Sequence, residues 1–395
     1  MAEKLVRMST VPHPELERWR SEFPILENRT YLNSCSLGAL SHRSMGYLDE
    51  YQELWGTMGA SAWYELWIGR LRELRGRVAE LWNASPSEIA LTPSVSAALS
   101  SVGSAIDYTR RNRVVVAELD FPTQIYQWMV KPGVEVVRVP SDDGIGIPPE
   151  RWAEYIDERT AVVATSHVFY STGYIQELPT IAAAAHAAGA LFVVDGYQAA
   201  GQMPVDPRAL GADVYVSGPL KWLLGGPGMA FLWVKEERIR ELEPTIASWF
   251  GARDQFQFNA EEFHFRDDAA RFELGTPAIP TMYTALGGIE IILEAGPRAI
   301  RDRVAALTED LVTRLEGAGV SLRIASEAER RSGIVMLKIE NAAEVVARLA
   351  ERKIIVDHRG PHVRVSPHFY NTLEENDLFM AALSGAGARA GDRGV

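Results

Sequence analysis

The chain almost lacks cysteine: Cys35 is the single thiol among 395 residues. One thiol cannot form an intramolecular disulfide, and it cannot supply the several thiolates of a Cys-rich structural zinc site. Secreted domains stapled by disulfides are therefore excluded, and this composition is typical of a reducing cytoplasm. We expect a cytoplasmic protein without a bound metal.

Long apolar runs and an excess of positive charge are also missing. No apolar run reaches the roughly 18 residues that a transmembrane helix requires, and the N-terminal stretch Met1–Trp19 lacks the apolar core of a signal peptide. The 40 Lys and Arg residues are outnumbered by 52 Asp and Glu residues, which gives a net charge of −12. Such an acidic chain is not expected to bind nucleic acids or anionic membranes.

The segment from Leu191 to Leu232 concentrates the chemistry of the chain. Its two short apolar runs, Leu191–Val194 and Val214–Val216, are rich in valine and closed by turn residues, so each predicts a buried parallel strand. In an open α/β sheet, ligands bind outside the carboxyl ends of the strands. Asp195 follows the first run and Lys221 follows the second, so we expect both side chains at one edge of the sheet.

An acid and a lysine at one sheet edge suggest a cofactor with a carbonyl group for the lysine and a basic ring nitrogen for the acid. Pyridoxal phosphate (PLP) has both: Lys221 would form a Schiff base, and Asp195 would keep the pyridine nitrogen protonated. Taken singly, Asp195 could cap a turn and Lys221 could be a solvated lysine. The segment Trp222–Gly228 after the lysine favours a cofactor site, because it is too apolar and glycine-rich for an ordinary exposed turn.

This segment resembles the PLP-dependent class V aminotransferase superfamily, which includes kynureninase, cysteine desulfurase and isopenicillin N epimerase. Similar motifs occur at Tyr31–Gly38 (YLNSCSLG), Arg271–Ala278 (RFELGTPA) and Arg364–Asn371 (RVSPHFYN). The resemblance spans nearly the whole chain. It implies the α/β architecture of fold-type I PLP enzymes: a large domain with a mainly parallel seven-stranded sheet between helices, and a small α+β C-terminal domain.

The domain organisation that we predict has four parts. Residues 1–30 form an arm that joins the small domain, residues 31–285 the large PLP-binding domain, and residues 286–383 the small C-terminal domain. Residues 384–395 are low in complexity and are expected to be a disordered tail. The resemblance, rather than any pattern in the residues, implies a homodimer with shared active sites.

The resemblance also implies which residues bind PLP. Val95 and Ser96 begin a helix after the strand Ile89–Thr92, where free backbone amides can bind a phosphate; Ser94 and Ser96 could instead merely cap that helix. Phe121 would stack on the pyridine ring. Thr172 and Gln198 are also implied cofactor ligands. Ser217 is added because the residue before the lysine, usually polar in the family, is Leu220 here. Trp249 and Thr276 would reach the phosphate across a dimer.

On the substrate side, Arg364 is the implied clamp for an α-carboxylate, since a guanidinium pairs bidentately with a carboxylate. Cys35 and Ser36 lie on a segment that passes the substrate in the superfamily, and His167 follows a strand at a place where it could act as an acid or base. Cys35 could equally be a small buried thiol, and His167 could be a hydrogen-bonded structural histidine.

The reaction is less well specified than the cofactor. The shared motifs imply that an α-amino acid binds through a Schiff base and that Lys221 moves its Cα proton. Cysteine desulfurase chemistry is disfavoured because that family uses a cysteine in the C-terminal half of the chain, and this chain has none there. Kynureninase itself is disfavoured because Gln124 stands where that family has an aspartate, and Ala98–Ser100 stands where it has an N-L-H run. We expect a PLP-dependent lyase that cleaves a Cβ bond, by C–S lysis or kynureninase-like β-elimination. The alternatives are an aminotransferase, an isopenicillin N epimerase-like enzyme of secondary metabolism, and a non-catalytic PLP-binding regulator.

Overall fold

The structure is a computed structural model that describes residues 11–388. Its α-helices are α1 (His42–Met58), α2 (Ile68–Leu81), α3 (Val95–Ser104), α4 (Pro122–Met129), α5 (Leu178–Ala187), α6 (Glu236–Ile239), α7 (Ile279–Ala295), α8 (Pro297–Gly317), α9 (Ala342–Glu351) and α10 (Leu373–Gly385). Its strands are β1 (Thr30–Tyr31), β2 (Ile89–Thr92), β3 (Arg113–Ala117), β4 (Glu135–Val139), β5 (Thr160–Ser166), β6 (Leu191–Asp195), β7 (Val214–Ser217), β8 (Ala230–Val234), β9 (Val335–Lys338), β10 (Ile354–Ile355), β11 (Asp357–Arg359) and β12 (His362–Val365).

Seven strands form the central sheet in the order β2-β8-β7-β6-β5-β3-β4. The strands from β7 to β4 in this order run parallel, whereas β8 is antiparallel to both of its neighbours. All seven residues of β5 are buried, as expected for a strand covered by helices on both faces. The mainly parallel seven-stranded sheet predicted for the large domain is confirmed.

The core lies on both faces of this sheet, because alternate residues of each strand point to opposite sides. In β6, Phe192 and Val194 belong to the cluster on one face, with helix α7, and Val193 belongs to the cluster on the other face, with α3. The strands predicted from Leu191–Val194 and Val214–Val216 are each one residue longer in the structure. Their last residues, Asp195 and Ser217, therefore lie at the carboxyl edge of the sheet, where the cofactor site is predicted.

A second sheet of three strands, in the order β11-β12-β9, lies in the C-terminal part of the chain. Both of its strand pairs are antiparallel. Its core contains Leu315 from α8, Leu349 from α9 and Phe379 from α10, which pack with Val335 and Val363 of the sheet. This antiparallel sheet with its helices is the α+β unit that the resemblance implied.

The N-terminal arm is attached to this C-terminal part. The arm contains a 3-10 helix, Pro14–Glu22, that buries Leu16 and Trp19. Strand β1 then pairs in parallel with β10. The buried guanidinium of Arg303 links the arm to the C-terminal segment. It donates hydrogen bonds to the Glu17 carboxylate (2.9 Å) and to the carbonyls of Phe369 and Asn371.

The predicted domain boundaries remain predictions. Helix α7 runs through residue 285, where we placed the end of the large domain, and it contributes Tyr283 and Ile289 to the large core. Residues 1–10 of the predicted arm, and residues 389–395 of the predicted tail, lie outside the described residues, and α10 extends to Gly385. Between residues 11 and 388, no helix combines the length and the apolar character needed to cross a membrane.

Candidate active site

A cavity of about 360 Å³ lies at the carboxyl ends of β5, β6 and β7. This is the sheet edge where open α/β folds bind ligands. Its lining is mostly apolar, with a lysine and a carboxylate among small polar residues. The lining residues are Pro93, Ser94, Val95, Ser96, Phe121, Thr123, Ser166, Val168, Tyr170, Asp195, Tyr197, Gln198, Leu220, Lys221, Pro227, Gly228 and Met229.

Lys221 brings a buried amine to this cavity. Its Nζ lies 4.7 Å from the centre of the Tyr197 ring and 5.9 Å from the centre of the Phe121 ring. Among the residues that the structure describes, no carboxylate lies within 4.0 Å of this amine. Burial lowers the pKa of Lys221 to about 8. About a tenth of the amine is therefore unprotonated at pH 7, far more than for an ordinary lysine, and this is the form that a nucleophile or a base requires.

Asp195, the last residue of β6, supplies a buried carboxylate to the same cavity. It accepts a hydrogen bond from the Tyr197 amide (2.8 Å). Burial raises the pKa of Asp195, and the Tyr197 amide and the charge of Lys221 partly oppose that rise. Within residues 11–388 no Arg, Lys or His forms an ion pair with it. The carboxylate is therefore available to a cation held in the cavity.

A tight turn after β7 presents Lys221. Leu224 adopts a left-handed backbone conformation (φ 60°), and the Gly225 amide donates back across the turn to the Pro219 carbonyl (2.8 Å). Gly38 lies against this turn, because its amide donates to the Leu220 carbonyl (2.8 Å). A side chain is excluded at Gly38, since an added Cβ would lie 2.2 Å from the carbonyl oxygen of Lys221.

The variant Gly38→Ala is expected to lower the free energy of unfolding by about 1–3 kcal/mol, the usual cost of overpacking. The added methyl group would meet the backbone at Lys221 and Leu224 rather than a flexible side chain. Thermal or urea unfolding measures the loss. Gly56→Ala is the matched control, because a Cβ on that helical glycine meets nothing within 4 Å. Equal stability of the two variants would contradict the close approach.

Helix α3 begins at the cavity. Ser94 caps it by accepting a hydrogen bond from the Ala97 amide (3.1 Å). Ser96 does not cap the helix, and its hydroxyl lies 3.4 Å from that of Thr123. Within the described residues the backbone amides of Val95 and Ser96 have no acceptor. Free amides at a helix N-terminus, with two hydroxyls beside them, suit a phosphate group.

Two aromatic rings face the amine of Lys221. Phe121 is 44% exposed and lines the cavity. Its ring packs edge-to-face against the ring of Tyr170, with 5.1 Å between the ring centres. Tyr197 was missed by the sequence reasoning, although its position two residues after Asp195 was a usable signal. Its ring packs directly on the backbone of Gly218, where a Cβ would lie 2.6 Å from the Tyr197 Cε2 atom. Flat apolar rings such as these suit a planar heterocycle.

Gln198 lines the cavity, and two hydrogen bonds inside the protein fix the orientation of its side-chain amide. Its Oε1 accepts a hydrogen bond from the Trp222 indole (2.8 Å), and its Nε2 donates to the Cys35 carbonyl (3.0 Å). Cys35 itself is completely buried and does not line the cavity. Burial raises the pKa of the Cys35 thiol, so the thiolate form that would be needed for nucleophilic chemistry is disfavoured.

Arg364, on β12, borders the cavity through Tyr170. Its Nη1 donates to the Tyr170 carbonyl (3.2 Å), and Tyr170 lines the cavity. Its Nη2 donates to the Ser36 hydroxyl (2.7 Å), so two of the residues predicted on the substrate side are in contact. The Arg364 side chain is 2% exposed.

Thr172, Ser217 and His167 are three further predicted residues that lie outside the cavity lining. Thr172 accepts a hydrogen bond from the amide two residues further on (3.3 Å), and Ser217 donates to the Gly196 carbonyl (3.3 Å). His167 Nδ1 lies 3.1 Å from the Tyr215 hydroxyl. Burial lowers the pKa of His167 to about 4, so its ring is neutral near pH 7. These contacts are structural, and the predicted roles of the three residues at a ligand remain predictions.

Trp249 and Thr276 also lie away from this cavity. They line a separate depression of about 300 Å³ together with Tyr64, Phe256 and Phe258. Trp249 is 40% exposed and Phe258 is 70% exposed. Their predicted contact with a phosphate therefore requires a second subunit, and it remains a prediction.

The cavity fits PLP on three independent observations. A buried amine of lowered pKa suits the carbonyl group. Within residues 11–388, a buried carboxylate that has no ion-pair partner suits the ring nitrogen, and amides without acceptors at the start of α3 suit the phosphate. Together with the seven-stranded sheet, this arrangement defines a fold-type I PLP-dependent enzyme.

Comparison with known proteins assigns the family. The family model described as "Aminotransferase class-V" matches residues 47–379. The chain is 34% identical to the uncharacterized aminotransferase YcbU of Bacillus subtilis (strain 168), over 91% of this chain and 95% of that one. It is 28% identical to a kynureninase of Geobacillus thermodenitrificans (strain NG80-2), over 91% and 89%. An apo cysteine desulfurase structure from Thermococcus onnurineus NA1 shares the fold, with a TM-score of 0.85, 23% identity, and coverage of 96% and 99%. The chain belongs to the class V aminotransferase family, and PLP is its cofactor.

Proposed function

We propose that the enzyme binds an α-amino acid, removes its Cα proton and cleaves a bond at Cβ, as a C–S lyase or in a kynureninase-like β-elimination. The observation that carries the proposal is the convergence of Lys221, Asp195 and Arg364 on one cavity and its border. Lys221 offers the cofactor a nucleophile and the substrate a base. When bound, PLP supplies an electron sink for the electron pair left at Cα.

The surrounding residues divide the remaining tasks. Arg364 would bind the α-carboxylate of the substrate, because its guanidinium borders the cavity on the side of Tyr170. Asp195 would hold the proton on the ring nitrogen of the cofactor, and the amides of Val95 and Ser96 would bind its phosphate. The rings around the cavity would exclude water from the reacting atoms.

Two observations support cleavage at Cβ. The kynureninase-like segment Tyr31–Gly38 contributes Ser36 to the group around Arg364, and a kynureninase is among the relatives of this chain. Transfer of sulfur to a protein thiol is disfavoured, since the single thiol, Cys35, is buried and burial raises its pKa.

The experiment is a panel of β-substituted amino acids incubated with the PLP-loaded enzyme. Elimination at Cβ releases the β-substituent and an enamine that water hydrolyses to a keto acid and ammonia, so the absorbance band of the cofactor at about 420 nm returns after each turnover. An aminotransferase is the second candidate, favoured by the 34% identity to YcbU. In that case the band would disappear for good after one turnover without a keto-acid acceptor, and no β-fragment would be released.

The rate at which the cofactor-free enzyme takes up PLP is expected to rise with pH. Only the unprotonated amine of Lys221 attacks a carbonyl group, and burial lowers the pKa of that amine to about 8. Between about pH 6 and about pH 10, uptake should increase roughly tenfold per pH unit at first and level off above about pH 8. Stopped-flow absorbance measures the rate. A rate independent of pH would show that this amine does not limit uptake.

We further propose that the active enzyme is a cytoplasmic homodimer. Trp249, Phe256 and Phe258 form an exposed aromatic surface beside Thr276, which is suited to pairing with a second copy. Trp249 and Thr276 would then reach the phosphate in the partner's cavity. Sedimentation velocity tests the assembly, and a fully active monomer would contradict it.

A further inference from the structure

The guanidinium of Arg364 is already largely engaged inside the protein. Its Nε donates to Asp357 Oδ1 (2.9 Å) and its Nη2 to Asp357 Oδ2 (2.7 Å), which is a bidentate pair along one edge of the group. The other Nη2 proton goes to Ser36 (2.7 Å), and one Nη1 proton goes to the Tyr170 carbonyl (3.2 Å). An arginine has five N–H donors, so one Nη1 proton is left without an acceptor among the residues that the structure describes.

Asp357 is fixed in this place by the backbone. It lies on β11 directly opposite Arg364 on β12, since the two residues are partners in the antiparallel register. Directly opposed side chains in such a pair remain in contact as long as the hairpin is formed. Burial tends to raise the pKa of Asp357, but the hydrogen bonds from Arg364 and Ser36 lower it below its ordinary value. The carboxylate is therefore charged near pH 7.

The edge of Arg364 that remains for a substrate is the one formed by Nη1 and Nη2. The Nε–Nη2 edge is held by Asp357, and the Nη2 proton on the remaining edge is held by a hydroxyl that can rotate away. Ser36 also donates to Asp357, so its hydroxyl keeps an acceptor when a carboxylate takes the Nη2 proton.

We propose that Asp357 is a positioning residue for substrate binding: it clamps the Nε–Nη2 edge of Arg364 and so directs the Nη1–Nη2 edge to the α-carboxylate of the amino acid. In the free enzyme the Ser36 hydroxyl holds the place of one carboxylate oxygen. This inference rests on the proposed role of Arg364, and it adds a residue that the family motif around Arg364 does not contain.

The test compares two ligands that differ only in the carboxylate, L-alanine and ethylamine. Their dissociation constants for the PLP-loaded enzyme are measured from the change in cofactor absorbance. Asp357→Ala is expected to weaken the binding of alanine about tenfold, because the guanidinium loses its fixed orientation. The binding of ethylamine should stay unchanged. Asp142→Asn is the control, since Asp142 pairs with Arg151 (2.8 Å) at an exposed site, and it should affect neither ligand.

A double-mutant cycle separates positioning from general damage. In the Arg364→Lys background, Asp357→Ala should cause no further change in the dissociation constant of L-alanine, because Asp357 acts through the guanidinium. Asp357→Asn keeps an acceptor oxygen, so it should weaken the binding of L-alanine less than Asp357→Ala does. It replaces Asp357→Ala in the test if that variant does not fold.

Three results would overturn the inference. Tighter binding of alanine by Asp357→Ala would show that Asp357 competes with the substrate for Arg364. Unchanged binding of alanine, or an equal loss for both ligands, would show that Asp357 has no positioning role. If Arg364→Lys itself leaves the binding of alanine unchanged, the proposed carboxylate clamp fails, which is a separate outcome from failure at Asp357.

Discussion

Replacing Lys221 with alanine is expected to remove the cofactor band at about 420 nm and to lower turnover by about 10⁴-fold, the upper end of what one general base contributes. The variant loses both the amine that binds the cofactor and the base that moves the Cα proton. Within the described residues, no other lysine lines the cavity. Absorbance spectra and product formation with the amino-acid panel measure the two effects.

The matched control is Lys235→Ala, which removes a half-buried lysine that lies 4.0 Å from Glu237, outside the cavity. It should keep both the band and the activity. If Lys221→Ala kept the 420 nm band, another amine would have to hold the cofactor. A variant that lost the band but kept its full activity would contradict the role of Lys221 as the base.

The second large effect is expected for Asp195→Asn, which should lower kcat by about a thousandfold. The charge pair concerned is the one that Asp195 would form with the protonated ring nitrogen of PLP. Removing one partner of a buried charge pair costs about 3–5 kcal/mol, and about 4 kcal/mol corresponds to a thousandfold in rate. An amide cannot hold the proton on the ring nitrogen, so the electron sink is weakened. Because Lys221 is intact, the variant should still bind PLP and keep a visible band. Steady-state kinetics and spectra measure both effects.

Asp120→Asn provides a contrast at a second buried carboxylate. Asp120 accepts hydrogen bonds from the amides of Ala117 (2.9 Å) and Ser166 (2.7 Å), so it ties the end of β3 to the end of β5. Its amide variant should lose about 1–3 kcal/mol of stability, because one backbone donor would face an NH₂ group. Its kcat should change far less than that of Asp195→Asn. Equal losses of kcat in the two variants would show that burial of the acid, rather than its partner, determines the rate.

The features predicted well from the sequence are those that depend on local pattern. Runs of valine closed by turn residues predicted β6 and β7, and the strand-edge rule then placed Asp195 and Lys221 together. For the serines at the start of α3 the sequence left open a helix cap or a phosphate site; the structure shows that Ser94 is the cap and that the Ser96 amide has no acceptor within the described residues, and the phosphate site remains a prediction.

The features that the sequence could not supply depend on contacts between distant segments. Asp357 became visible only through the register of a hairpin, and Tyr197 only through its packing on Gly218. Gln124, which replaces the family aspartate, is buried on α4, and among the described residues its amide has no hydrogen-bond partner. The sequence identified that position as a departure from the family, but the structure gives the residue no contact with the cavity.

A contact between the segment Tyr31–Gly38 and the C-terminal segment fixes the order in which parts of the nascent chain can assemble. Ser34 lies 336 residues before Tyr370, whose hydroxyl it contacts at 2.7 Å, and a ribosome adds about 5–20 residues per second, so this contact waits about 15–70 s for its partner. Gly38 of the same segment braces the turn that carries Lys221. We therefore expect the nascent chain to acquire its cofactor only after translation has reached the last helix, and a ribosome stalled before residue 370 should carry a chain that does not take up PLP.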